Sequence, residues 1–245
     1  MKSLNTKEHL KPVDDEVMNA CQKIHYLLND DDIDRDGAEE AVDKIKLSSL
    51  NKSVKIALKI ISSMLFKLVD NHKSNNQTQA LPSDGQIMIP DLTLFIEVNS
   101  TTNYELFFVE VKRKGKYQNN NLENDLVKLG KEMHTALNKL MKKRVRNPEV
   151  VGLLIEDTKA IAYKMTLKYE GLYQMIEISQ FNFARDNTDD ILLIPAIIEK
   201  LSQIKEIILA TISNLYQCIN GDEELVDLTS YTRQACKTPV PIPVE

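Results

Sequence analysis

Apolar residues recur at three- and four-residue steps in four stretches of the chain, the signature of helices with one buried face. The first joins Val17, Cys21, Ile24 and Leu28, with Asp14 or Asp15 as its cap, and the second joins Val54, Ala57, Leu58, Ile61, Met64, Leu65 and Leu68. The third runs through Leu122, Leu126, Leu129, Met133, Leu137 and Leu140 until Asn147-Pro148, and the last carries Ile197, Leu201, Ile204, Ile208, Ile212, Leu215 and Tyr216. Pro195 suits the start of that last helix, where its missing N–H is no loss. Between them the pattern shortens to alternation and compact apolar runs, which predicts strands over 86–89, 90–98, 104–112, 150–155, 160–167 and 171–178. The connections at 156–158 and 168–170 are short enough for antiparallel hairpins. Helix, strands, helix, strands, helix is the order of a mixed α/β sheet with helices packed on it.

Several stretches stand outside this pattern. Residues 1–12 and 71–80 are polar without periodicity, 44–53 reads as a connector, and the Pro-rich end, 237–245, cannot be helical. The expected organisation is an N-terminal arm and helical extension over 1–50, a core over 51–220 and a flexible tail over 221–245. Asp32, Asp34, Asp36, Gly37 and Asp43 fall at the spacing of an EF-hand calcium loop, although the twelfth position is Asp rather than Glu. The same run also reads as an acidic, helix-capping loop.

The composition, 42% apolar and 27% charged over 245 residues, is that of a globular protein with a substantial core. The N-terminus lacks the apolar segment of a secretory signal, and the longest apolar run, Ile191–Ile198, is too short to span a bilayer. An intracellular protein, nuclear or cytoplasmic, is expected. Cys21, Cys218 and Cys236 have neither disulfide nor zinc-ligand spacing, which fits a reducing compartment.

The candidate chemistry lies in the strand pair 90–98 and 104–112. Glu110 and Lys112 are two residues apart and so point to one face of their strand. Asp91, following Pro90, can come beside Glu110 if the strands pair through the turn at 99–103. Two adjacent carboxylates repel unless a cation lies between them, and a hard divalent ion takes such oxygen donors. A neighbouring lysine can orient a water or offset charge on a phosphodiester, so the trio has the makings of a hydrolase site. Charge adds to this picture: the whole chain carries −5, yet 111–146 holds eleven Lys/Arg against three Asp/Glu, a net +8 that leaves −13 elsewhere. One basic face beside the trio is the footprint of a phosphate-backbone binder, although lysine runs also form plain solvated helix faces.

Pro90-Asp91, eighteen intervening residues and Glu110-Val111-Lys112 at the end of an apolar strand resemble the PD-(D/E)XK superfamily of restriction-endonuclease-like nucleases. Its helix, three strands, helix, strand pattern would cover about 52–155. The resemblance implies a restriction-endonuclease-like mixed β-sheet flanked by helices, with an N-terminal helical extension and a long C-terminal helix. It implies Asp91 and Glu110 as ligands of Mg²⁺ or Mn²⁺ and Lys112 as the catalytic lysine. Arg113, Lys114, Lys116, Lys128 and Lys131 are the candidate nucleic-acid contacts. Lys128-Leu-Gly-Lys-Glu-Met and Gly171-Leu-Tyr-Gln-Met are also similar to fungal members of the superfamily whose activity is not established. Asp84 rivals Asp91 as the first carboxylate; Asp91 is preferred because it opens the strand. The glutamate that many members carry on the first core helix has no counterpart within 52–70. The expected function is therefore hydrolysis of nucleic acid, DNA foremost. The alternative is an inactive nucleic-acid-binding or protein-interaction module of the same fold. A homodimer is allowed; a membrane partner is not expected.

Overall fold

The computed structural model describes residues 11–29, 35–49, 51–66, 90–98, 102–112, 125–169, 171–184, 188–221 and 231–233. They fall into two compact units, with chain boundaries at Gln180/Phe181 and Gln203/Ile204. The strand expected at 86–89, the rival carboxylate Asp84 and the Pro-rich tail lie outside the described residues.

One unit is helical. It contains α1 (Asp15–Leu28), α2 (Arg35–Ser48), α3 (Lys52–Phe66), a 3₁₀ turn at Thr188–Leu193 and the opening of α5 (Ile194–Asn220), up to Gln203. Asp14 caps α1 as expected, accepting the Glu16 N–H at 3.1 Å. The core gathers Val17, Cys21 and Ile24 with Val42, Val54, Leu58, Ile191, Ile194 and Ile198. Cys21 is fully buried, and burial pushes its thiol up to about 11, so it packs as a small apolar group.

One expectation fails in this unit: the stretch 44–53 is not simply a connector, since α2 continues through Ser48. Of the acidic run read either as a calcium loop or as a helix-capping loop, 32–34 lie outside the described residues, and the rest is helix from Arg35, including Gly37, where a calcium loop would have to turn sharply. The sparse apolar row Val42 and Ile45 was masked in the sequence by the surrounding acids. α3 groups with these helices rather than with the sheet.

The other unit is built on a five-stranded mixed sheet in the order β1 (Leu92–Val98), β2 (Thr102–Lys112), β3 (Val150–Glu156), β4 (Lys159–Tyr169), β5 (Leu172–Asn182). β1 and β2 are antiparallel with an irregularity between Leu94 and Phe95, β2 and β3 are parallel, and β3 and β4 are antiparallel. The parallel step requires a crossover, which α4 (Asp125–Lys142) provides. Leu129, Met133, Ala136, Leu137 and Leu140 of α4 pack on Tyr104, Leu106 and Phe108 of β2, with Leu215 of α5 joining the cluster. Gly152 of β3 permits the close approach: a Cβ there would lie 2.6 Å from Met133 Sδ and 2.9 Å from Leu129 Cδ1.

At its far end α4 closes with Arg144 N–H donating to Met141 O at 2.8 Å and Val145 N–H donating to Leu140 O at 3.2 Å. This is a Schellman closure, and it puts Arg144 in the left-handed region at φ 66°. No described helix is long and apolar enough to cross a membrane.

Candidate active site at the end of strand β2

Tyr104, Leu106 and Phe108 of β2 face α4, so Glu110 and Lys112 continue that row beyond the apolar core. Glu110 is only 3% exposed. Leu92 of β1 stands opposite Val109, which brings the residue before the strand, Asp91, level with the end of β2. Its carboxylate accepts the Val111 N–H at 2.7 Å. The pairing expected between the Pro-Asp and Glu-x-Lys segments is thus present.

The lysines take different partners from those expected. Lys112 stands beside Glu156 of β3 in the parallel register and donates to it at 3.0 Å. The ammonium at Glu110 is that of Lys128, which donates to both carboxylate oxygens at 2.7 and 2.8 Å. Lys128, expected as a phosphate contact, is therefore held within the site. Lys131 is half-buried, while Arg113, Lys114 and Lys116 lie outside the described residues.

Behind Lys128 comes Glu132, one helical turn along α4, with Oε1 at 3.9 Å from the ammonium. Glu132 is 5% exposed, and neither carboxylate oxygen has a hydrogen-bond partner among the described residues. Burial, and next the charge of Glu110, push its carboxyl up to about 8. Burial likewise raises Glu110, against the lowering effect of Lys128; Asp91 and Asp125 add to the rise. Glu110, Glu132, Asp91 and Asp125 thus act electrostatically on the site, where Lys128 is the ammonium in contact with Glu110.

The sequence reading missed Glu132 and the role of Lys128. The signal was available in the spacing: Leu129, Glu132, Met133 and Ala136 occupy one helical face, so Glu132 interrupts an otherwise apolar stripe. A carboxyl buried beside a second one raises the proton affinity of the pair. As arranged, no group of three or more His, Cys, Asp or Glu side chains among the described residues is set to hold a metal ion. Comparison of the chain with known protein families, curated proteins and solved structures finds no match.

Proposed function

We propose that this chain is a metal-dependent nuclease with a restriction-endonuclease-like core, hydrolysing phosphodiester bonds of nucleic acid, DNA foremost. The observation that carries the reading is the bond from Val111 N–H to Asp91, which sets the Pro-Asp end of β1 against the Glu-x-Lys end of β2. The order β1, β2, α4, β3, with β2 parallel to β3, supports it.

Asp91 and Glu110 would hold Mg²⁺ or Mn²⁺, and when bound the ion supplies a water of lowered pKa and positive charge for the phosphate. Lys128 offsets the negative charge of Glu110. Lys112, a third exposed, is the residue able to meet an incoming water or phosphate oxygen. Glu132 keeps its proton near neutral pH, which limits the repulsion around Glu110.

The test is incubation of plasmid, single-stranded DNA and RNA with Mg²⁺ or Mn²⁺. Cleavage should fall at least about 100-fold in Asp91→Ala, Glu110→Ala and Lys112→Ala, the scale of losing one group that acts on the transition state. Equal cleavage by wild type and all three variants overturns the reading.

The second reading is an inactive module of the same fold. It is favoured by the engagement of both site lysines with carboxylates and by the lack of a glutamate within α3. Mn²⁺ binding that disappears in Glu110→Ala would count against it.

A further inference from the structure

The β4–β5 turn and the middle of α4 hold a short segment from much later in the chain. Tyr231–Arg233 lies across them, and three of its backbone groups are bonded there. The Tyr231 carbonyl accepts the Gly171 N–H at 3.0 Å, the Arg233 N–H donates to the Tyr173 hydroxyl at 3.1 Å, and the Arg233 carbonyl accepts from Asn138 Nδ2 at 3.1 Å. The bonded residues are two apart, the spacing at which an extended chain turns its backbone groups to one side.

The receiving side chains are organised before the segment arrives. Tyr173 donates its hydroxyl proton to Asn138 Oδ1, which fixes the end of the amide that faces the Arg233 carbonyl. His134 stacks on the Tyr173 ring, with centroids 4.1 Å apart, and its Nε2 lies 3.5 Å from Asn138 Nδ2. A tyrosine and an asparagine thereby satisfy both the N–H and the C=O of one residue, as a neighbouring strand would.

Gly171 completes the groove. It turns in the left-handed region at φ 62°, and a Cβ there would run into the Arg233 guanidinium, so the missing side chain serves the turn and the docked arginine together. The segment can come from its own chain. Ile219, near the end of α5, packs on the same cluster as α4, and the eleven steps from Asn220 to Tyr231 span up to about 36 Å.

We propose that Asn138, Tyr173 and Gly171 form a binding site for an extended peptide backbone, filled by the chain's own Tyr231–Arg233 as a releasable strap. This goes beyond the nuclease reading and does not need it. Each of the three bonds multiplies the docked population by about ten at most, so the strap is held without being tied into the core.

The experiment is amide hydrogen exchange on the full chain, with a free peptide of residues 227–237 as the unprotected reference. In wild type the Arg233 N–H should exchange at least about tenfold more slowly than in the peptide, yet at least about tenfold faster than the Leu137 N–H within α4. Tyr173→Phe keeps the ring on His134 and removes the hydroxyl. It should speed exchange at Arg233 about tenfold without an equal rise at Leu137. Arg233→Pro has no N–H to donate, and it should speed exchange at Gly171 in the same way. Wild-type exchange at Arg233 matching the free peptide would overturn the proposal, as would exchange as slow as at Leu137, which would make the segment a fixed part of the fold. Unchanged exchange in both variants would remove the assigned bonds. Protection that falls on dilution would give the occupant to a second copy and overturn the assignment to the same chain.

Discussion

Glu132 is the residue whose chemistry the fold alters most. A carboxyl that is exposed in the unfolded chain becomes buried beside Glu110, and its affinity for protons rises. Between its ordinary value of 4.5 and about 8, the folded protein holds a proton that the unfolded chain has released. Stability attributable to this group must therefore decline as pH rises through that window, and protonation favours the native state below it. Glu132→Gln keeps the shape and a donor but cannot ionise. It should flatten the decline and stabilise the protein above pH 8 by an amount on the order of 2 kcal/mol. Urea denaturation from pH 5 to 9 measures this, and parallel curves for wild type and variant would contradict it. That Glu110 and Lys112 share a face was legible from strand alternation, and that Asp91 comes level with them followed from pairing the two strands. Partner choice was not: Lys112 meets Glu156 and Lys128 meets Glu110 through strand and helix placements separated by many residues.

At the scale of elements, α4 determines the site because its first turns bring Lys128 and Glu132 over β2. How closely it can approach depends on Gly152, the one β3 residue with no side chain to oppose Met133 and Leu129. Gly152→Ala must push these side chains, or the helix itself, outward, at a cost of about 1–3 kcal/mol. The Tm should fall, and Lys128 should lose its short bonds to Glu110, visible as an altered pH dependence of any activity. A variant as stable as wild type would show that the helix gives way freely. Strongly periodic elements such as α1, α4 and α5 were readable in the sequence, as was the β3–β4 hairpin with its short turn. α2 was not, because a helix that buries little beyond Val42 and Ile45 leaves a faint period among charged neighbours.

On the scale of the whole molecule, the buried apolar side chains among the described residues form two clusters with no residue in common. This division was invisible to a linear reading because the helical cluster joins residues far apart in the chain, from Val17 to Leu58 and from Ile191 to Ile198. α5 contributes to both: Ile194 and Ile198 belong to the helical core, while Ile208, Ile212 and Leu215 belong to the core beneath α4. Truncating a fully buried side chain in either leaves a cavity, so Ile24→Ala and Leu137→Ala should each cost about 2–5 kcal/mol. As the two sites share no packing partner, the double variant should show the sum to within about 0.5 kcal/mol. Denaturant titration of the four proteins closes that cycle. The candidate site lies wholly among residues of the sheet unit. Below its own Tm, Ile24→Ala should therefore keep the level of nuclease activity measured for the wild type in the proposed assay, while Leu137→Ala, in the helix that carries Lys128, should fall below that level before it unfolds.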